Sequence, residues 1–243
     1  MAKCFWCESK AISVFGYAND SGLAPLNLYF MSNENNLHWE ILDKRRLNLL
    51  PKLAVFKDRF YLAGGTAIAL YLGHRDSIDF DFFTAKDFDN PSLMEELKTI
   101  FRESRIEEKM SQNNTLTLKI DGVDMSFFKI NENQLEPFCE TEYIHLASLT
   151  DIGCMKLSAL LGRSVLKDYV DLYAMCKTFM PLSELLEKAK LKYSTVNSGA
   201  FVRALGYYGD IQMDKIIFKN DFYVDIATIE EFFNGEIKKL LNL

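Results

Sequence analysis

Apolar residues recur along this chain with two periods, and the change from one to the other divides it. Helical spacing runs over residues 38–53, with Leu42, Leu47, Leu50 and Leu53 set among charges. Phe60-Tyr-Leu-Ala63 then reads as a short strand ending at Gly64-Gly65, and residues 66–72 as a helix that Gly73 is suited to close. Residues 78–83 alternate apolar with acidic, the mark of a strand with two unlike faces. A helix is predicted over 92–104, with Leu93, Leu97, Ile100 and Phe101 on one side. Strand-like runs at 115–120 and 123–130 flank Asp121-Gly122, a strong hairpin signal. From Leu149 onward the spacing is helical, over about 150–162, 167–178, 182–192, 198–208 and 226–241. There is no internal repeat and no low-complexity tract.

This pattern predicts a strand-and-helix core over 38–147, followed by a helical region over 148–243. The polar run Ser32-Asn33-Glu34-Asn35-Asn36 sets off an opening segment, residues 1–37, with short strand-like pieces at 12–16 and 26–30. Within it, Cys4-x-x-Cys7 supplies half of a four-ligand zinc site. The second pair would stand near 30–35, where Met31 and Asn35 occupy cysteine places, so the segment reads either as a degraded zinc finger or as a plain extension.

Composition narrows the class. The 243 residues are 49% hydrophobic and 13% aromatic, which excludes intrinsic disorder. A net charge of −6 argues against a surface given over wholly to nucleic acid, while leaving room for a local basic patch. The longest apolar stretch, 60–73, is too short to span a membrane and contains Gly64, Gly65 and Thr66. An odd cysteine count and an opening without a basic-then-apolar signal favour a cytoplasmic setting.

The chemistry concentrates in residues 60–84. A strand running into Gly64-Gly65-Thr66 at a helix start presents free backbone N–H groups with no side chain in the way, a ready site for phosphate oxygens. The glycine pair would equally serve a tight strand–helix turn. Asp79 and Asp81, two apart on a strand, project from one face while Phe80 and Phe82 point into the core. Two such carboxylates repel unless a cation lies between them, and oxygen-only ligands suit Mg²⁺ or Mn²⁺ held against substrate phosphates. The plainer alternative is an edge strand with a solvated acidic face.

Gly64-Gly65-Thr66 followed by Asp79-Phe-Asp81 resembles the glycine turn and paired acids of the polymerase-β-like nucleotidyltransferase superfamily. More narrowly, Ala63-Gly-Gly-Thr-Ala67, Gly73-His-Arg75 and Ser77-Ile-Asp-Phe-Asp-Phe-Phe83 resemble the AbiEii/AbiGii toxin family. So do Asp151-Ile-Gly-Cys-Met-Lys156, the Arg163…Lys167-Asp168…Asp171 segment and Ala204-Leu-Gly-Tyr-Tyr208. The resemblance covers about residues 38–243.

It implies an α+β nucleotidyltransferase fold: a small mixed sheet with flanking helices, and a helical C-terminal region closing over the nucleotide. It also implies transfer of a nucleotide from an NTP, with Gly64, Gly65, Thr66, Arg75 and Lys156 at the triphosphate. Asp79 and Asp81 would hold the metal, with Asp124 as third ligand on the next strand; Ser126, on the same face, is the other aligned position. Lys156 and Asp168 join the acids as catalytic candidates, with Asp171 bridging Arg163 or Lys167. Thr66 either gives a hydroxyl to phosphate or caps its helix, and Arg75 either neutralises phosphate or braces its loop. The implied acceptor is RNA, tRNA included, or protein, and the implied partner is an antitoxin from a neighbouring gene. Rival readings are a silent NTP-binding module on the same fold and a small-molecule, antibiotic-type nucleotidyltransferase. No membrane partner is expected.

Overall fold

A computed structural model of the chain describes residues 36–242. The opening cysteine pair and the strand-like pieces at 12–16 and 26–30 lie outside the described residues.

The sheet is built around two short strands, β1 (Tyr61–Ala63) and β2 (Phe80–Thr84), which pair antiparallel. Three more strands, β3 (Ile106–Gln112), β4 (Thr115–Ile120) and β5 (Val123–Lys129), add on the β2 side. Two-residue strands β6 (Cys139–Glu140) and β7 (His145–Leu146) add on the β1 side. The order is β3-β4-β5-β2-β1-β7-β6, with β2–β5 and β1–β7 parallel and the other pairs antiparallel, so the sheet is mixed as expected. The β4–β5 turn has Asp121 at φ 49° and Gly122 at φ 81°, the left-handed pair that a tight hairpin requires.

One sheet face carries Phe80, Phe82, Met125 and Phe127, all buried. Phe127 is the hub there, with its ring centroid 5.1, 5.2 and 6.0 Å from those of Phe60, Phe82 and Phe56. Such pairs add about 0.5–1.5 kcal/mol each beyond their buried area. Helices α1 (Lys44–Leu53) and α3 (Asn90–Ile100) contribute Leu49, Leu50, Leu53, Leu93 and Leu97 to the same core.

Two expectations need correction here. The helix expected over 38–53 is a short 3₁₀ turn, Trp39–Ile41, then α1. The Asp43 carboxylate accepts from the Arg46 N–H and so starts α1 afresh. Its buried face is Arg46, Leu49, Leu50 and Leu53, which leaves Leu47 at the surface. Strand β3 was not legible in the pattern, because it is an edge strand with nearly every residue exposed.

The remaining helices follow from β1 onward. α2 (Gly64–Leu72) leaves β1, and Gly73 closes it at φ 61°. α4 (Leu149–Leu160), α5 (Leu166–Thr178), α6 (Leu182–Lys192), α7 (Ser198–Leu205) and α8 (Ile226–Leu241) follow, close to the predicted spans. Between α7 and α8 the chain returns as a strap. Its Gln212 N–H donates to Ser164 C=O at 2.7 Å. Further along, Asp76 N–H donates to Ile217 C=O at 2.8 Å and Lys219 N–H to His74 C=O at 3.0 Å.

A buried carboxylate joins the two halves. Asp171 of α5 is fully buried and receives Arg75 Nε (2.7 Å), Arg75 Nη2 (2.8 Å), His74 Nε2 (2.8 Å) and Lys156 Nζ (2.6 Å). Asp171 therefore bridges Arg75 and Lys156; Arg163 goes instead to Asp168, and Lys167 to Asp214. These two do not reach Asp171, contrary to expectation. Burial alone would raise the Asp171 pKa, but the Arg75 and Lys156 charges overcome it and hold the carboxyl well below its usual range.

A carboxyl with a depressed pKa contributes stability above its unfolded pKa and loses it as pH falls through the folded one. Asp171→Asn is expected to cost about 3–5 kcal/mol by urea denaturation at neutral pH, since it strands buried cations. The deficit should shrink on acidification, as the wild type loses the same contribution. A variant as stable as wild type at neutral pH would refute this account.

Candidate active site

The site begins where β1 gives way to α2. Gly64 adopts φ 74°, and a Cβ placed on it would lie 3.1 Å from Asp81 Oδ2. A Cβ on Gly65 would lie 3.0 Å from Arg75 Nη2 and 3.3 Å from Ser77 Oγ. Neither position admits a side chain without displacing a group of the site. No side chain caps α2, which leaves its first N–H groups to an outside acceptor.

Thr66 works from behind this turn. It is buried, and its hydroxyl donates to the Asp79 carbonyl and lies 2.9 Å from Ser77 Oγ. It thus ties the glycine turn to the acid strand, where a phosphate contact or a cap was expected. Arg46 adds a second tie, donating from Nε to the Ile78 carbonyl at 2.7 Å.

Asp79 stands just before β2 and Asp81 within it, opposite Ala63 of β1 and Ser126 of β5. Both carboxyls are pushed up from the ordinary range. For Asp79 the causes are burial and then the Asp124 charge; for Asp81 they are burial and then the Asp79 charge. Lys156, Arg163 and Ser126 act on Asp81 in the other direction. A like-charged, half-desolvated pair of this kind fits a divalent cation completed by phosphate oxygens.

Asp124 acts on Asp79 through its charge but has partners of its own. Its carboxylate salt-bridges Lys109 and, at 3.1 Å, Lys119, and these lysines hold its pKa low against the effect of burial. Among the described residues no three His, Cys, Asp or Glu side chains are arranged to hold a metal. Asp124, the expected third ligand, is thus ion-paired with two lysines in this structure.

Lys156 sits in ion pairs, and Arg75 takes the bracing role of its two expected ones. Lys156 is buried, with Nζ 2.7 Å from Asp168 Oδ1 and 2.6 Å from Asp171 Oδ2. Arg75 is forked on Asp171, directly behind Gly65, and so braces its loop. Asp168 is buried and also receives Arg163 Nε at 3.0 Å. The half-exposed Arg163 is the cation of this group most open to solvent. Sequence reasoning missed the Arg75–Asp171 fork and Ser77; nothing periodic in the chain signals either.

Beside this geometry stand the similarities to other proteins. A family model described as "Nucleotidyl transferase AbiEii toxin, Type IV TA system" matches residues 49–240. An uncharacterised protein of Aquifex aeolicus is 34% identical over 207 residues, 82% of this chain and 95% of its own length. The nucleotidyltransferase toxin MenT4 of Mycobacterium tuberculosis superposes with a TM-score of 0.54 at 14% identity, covering 81% of this chain and 82% of that one. At that identity the likeness speaks to the fold alone. No described helix is long and apolar enough to cross a membrane. Since the family match takes in the glycine turn, the paired acids and the Asp171 junction, the chain belongs to the AbiEii nucleotidyl transferase toxin family and is by class a nucleotidyltransferase.

Proposed function

We propose that the cleft transfers a nucleotide from an NTP to an RNA acceptor in a divalent-cation-dependent step, and that the chain is the toxin of a toxin–antitoxin pair. The observation that carries the reading is the Asp79/Asp81 pair set against a glycine turn whose helix N–H groups are uncapped. The family's description supports the toxin role.

The uncapped N–H groups at Gly64 and Gly65 receive the triphosphate oxygens, helped by the positive end of the α2 dipole. Asp79 and Asp81 hold the cation, Mg²⁺ or Mn²⁺, which when bound offsets charge on the phosphates. An acceptor hydroxyl forms a bond to the α-phosphorus while the bond from that phosphorus to the β-phosphate breaks. Pyrophosphate leaves, and the hydroxyl proton passes to a cleft carboxylate. Asp168, held by Lys156 and Arg163, keeps the Arg163 cation at the rim, where it meets phosphate charge. Lys156, fixed between Asp168 and Asp171, contributes its field to Asp81 and to whatever anion lies there.

Two outcomes test this. Asp79→Asn and Asp81→Asn should each abolish transfer of labelled NTP to cellular RNA. Because they relieve a like-charge pair, they should melt at or above the wild-type temperature without divalent cation. Mg²⁺ with NTP should raise the wild-type melting temperature and leave the double variant unmoved; full transfer by the double variant would overturn the assignment.

Gly64→Ala is expected to cost about 1–3 kcal/mol, since it forces a Cβ into the left-handed region against Asp81. By calorimetry it should also weaken NTP binding. Unchanged affinity would place the triphosphate elsewhere.

A further inference from the structure

Strand alternation carries the acid face beyond the acids. On β2 the cleft-side residues after Asp79 and Asp81 continue to Phe83, and on β5 Asp124 and Ser126 continue to Phe128. The parallel register sets Asp81 beside Ser126 and Phe83 beside Phe128. The core face of both strands is already filled by Phe80, Phe82, Met125 and Phe127, so Phe83 and Phe128 are aromatics on the opposite, half-open side.

They do not stand alone. The ring centroids of Phe128 and Phe83 are 5.4 Å apart, those of Phe83 and Tyr61 6.2 Å, and those of Tyr61 and Phe138 4.7 Å. Interplanar angles along this row are 33°, 28° and 34°, so neighbouring rings lean the same way. Tyr61 anchors the row: its ring is buried and its hydroxyl lies 2.6 Å from the Gln134 side-chain amide. Phe138 ends it at 37% exposure.

Position decides what such a row would hold. β1 runs from Tyr61 toward the glycine turn, and Tyr61 pairs with Phe83 while Ala63 pairs with Asp81. The triphosphate end and the aromatic end therefore lie on opposite sides of the acids, with Phe83 about 7 Å beyond Asp81 on the same strand face. An in-line displacement needs the attacking hydroxyl opposite the departing pyrophosphate, which is the aromatic side.

We propose that Phe83 and Phe128, continued by Tyr61 and Phe138, form a base-stacking platform for the unpaired terminal nucleotides of an RNA acceptor, delivering its end hydroxyl to Asp79 and Asp81. The inference rests on the nucleotidyl-transfer reading above. Flat, partly open π-faces suit any base, and stacking on them does not require base-pair edges. On β4, Thr115 and Thr117 lie opposite Phe128 and Ser126, offering hydroxyls to sugar or phosphate. An unfolded protein segment would instead call for recessed pockets between strands or a free polar edge along the row.

The test uses the full chain and a single-stranded octaribonucleotide with 2-aminopurine at its 3′ end. Stacking should quench the fluorophore on wild type and on Phe83→Tyr, which keeps the ring. Phe83→Leu and Phe128→Leu, which keep apolar bulk without a π-face, should raise the dissociation constant roughly 5- to 100-fold and lose the quench. Both Leu variants should bind Mg²⁺·NTP by calorimetry with wild-type affinity, and thermal melting checks that they fold. Undiminished quenching on both Leu variants would overturn the platform. So would loss of binding in Phe83→Tyr equal to that in Phe83→Leu, which would indicate packing alone. Transfer of label to protein, unaffected by ribonuclease and by the Leu substitutions, would overturn it in favour of a protein acceptor. Failure of wild type to bind Mg²⁺·NTP would instead strike the nucleotidyl-transfer reading, while the quench would still report on the platform.

Discussion

The buried carboxylate of Asp171 is the interaction on which the site's geometry depends. A charge removed from water must be matched where it stands, and here the match comes from Arg75 and Lys156, with the His74 ring as a further donor. Those partners belong to the α2–β2 loop and to α4, so neutralising one carboxylate locks three parts of the fold together. The constraint then passes outward through contacts of ordinary strength. Arg75 packs behind Gly65, and Ser77, two residues along the same loop, meets the Thr66 hydroxyl. Thr66 in turn holds the Asp79 carbonyl. The acid pair owes its placement to a charge that lies behind it.

The two sets of acids are tuned in opposite directions. Asp171 is held well below its usual range by cations the protein itself supplies, and its role is finished on folding. Asp79 and Asp81 are held above theirs by burial and by a neighbouring carboxylate each, against the pull of more distant cations. Burying like charge without its counter-charge is costly, and a proton or a bound cation relieves it. Asp124 is treated differently again: two lysines lie beside it and hold its pKa low.

Local periodicity carried much of the fold into view. The alternation at 78–83 separated the buried phenylalanines from the acids correctly, Asp121-Gly122 marked the hairpin, and all five C-terminal helices could be read from apolar spacing. What stayed hidden shares a cause. β3 has no buried face to impose a pattern, and β6 and β7 are too short to show one. The Arg75–Asp171 fork joins residues 96 apart, a distance over which no spacing rule operates. Lys156 and Arg75 were legible as cations beside the site, but their carboxylate partners were not, so Lys156 read as a phosphate contact and Arg75 as either that or a brace. The same holds for Phe83 and Phe128, which alternation places correctly but whose register across strands no single strand reveals.

The strap between α7 and α8 gives the site a place in time as well as in space. Gly73 accepts a hydrogen bond from the side chain of Asn220, 147 residues later, and the loop between them carries Arg75. At about 5–20 residues per second of synthesis, the strap follows the loop by roughly 7–30 s. For that interval the β1–α2–β2 unit and its acids exist on the growing chain without the strap. The strand core can fold early from contacts close in sequence, whereas the cleft closes late, when both α5 and the strap have arrived. A nucleotidyltransferase built this way gains its finished active site only once residues far downstream of its acids have been made.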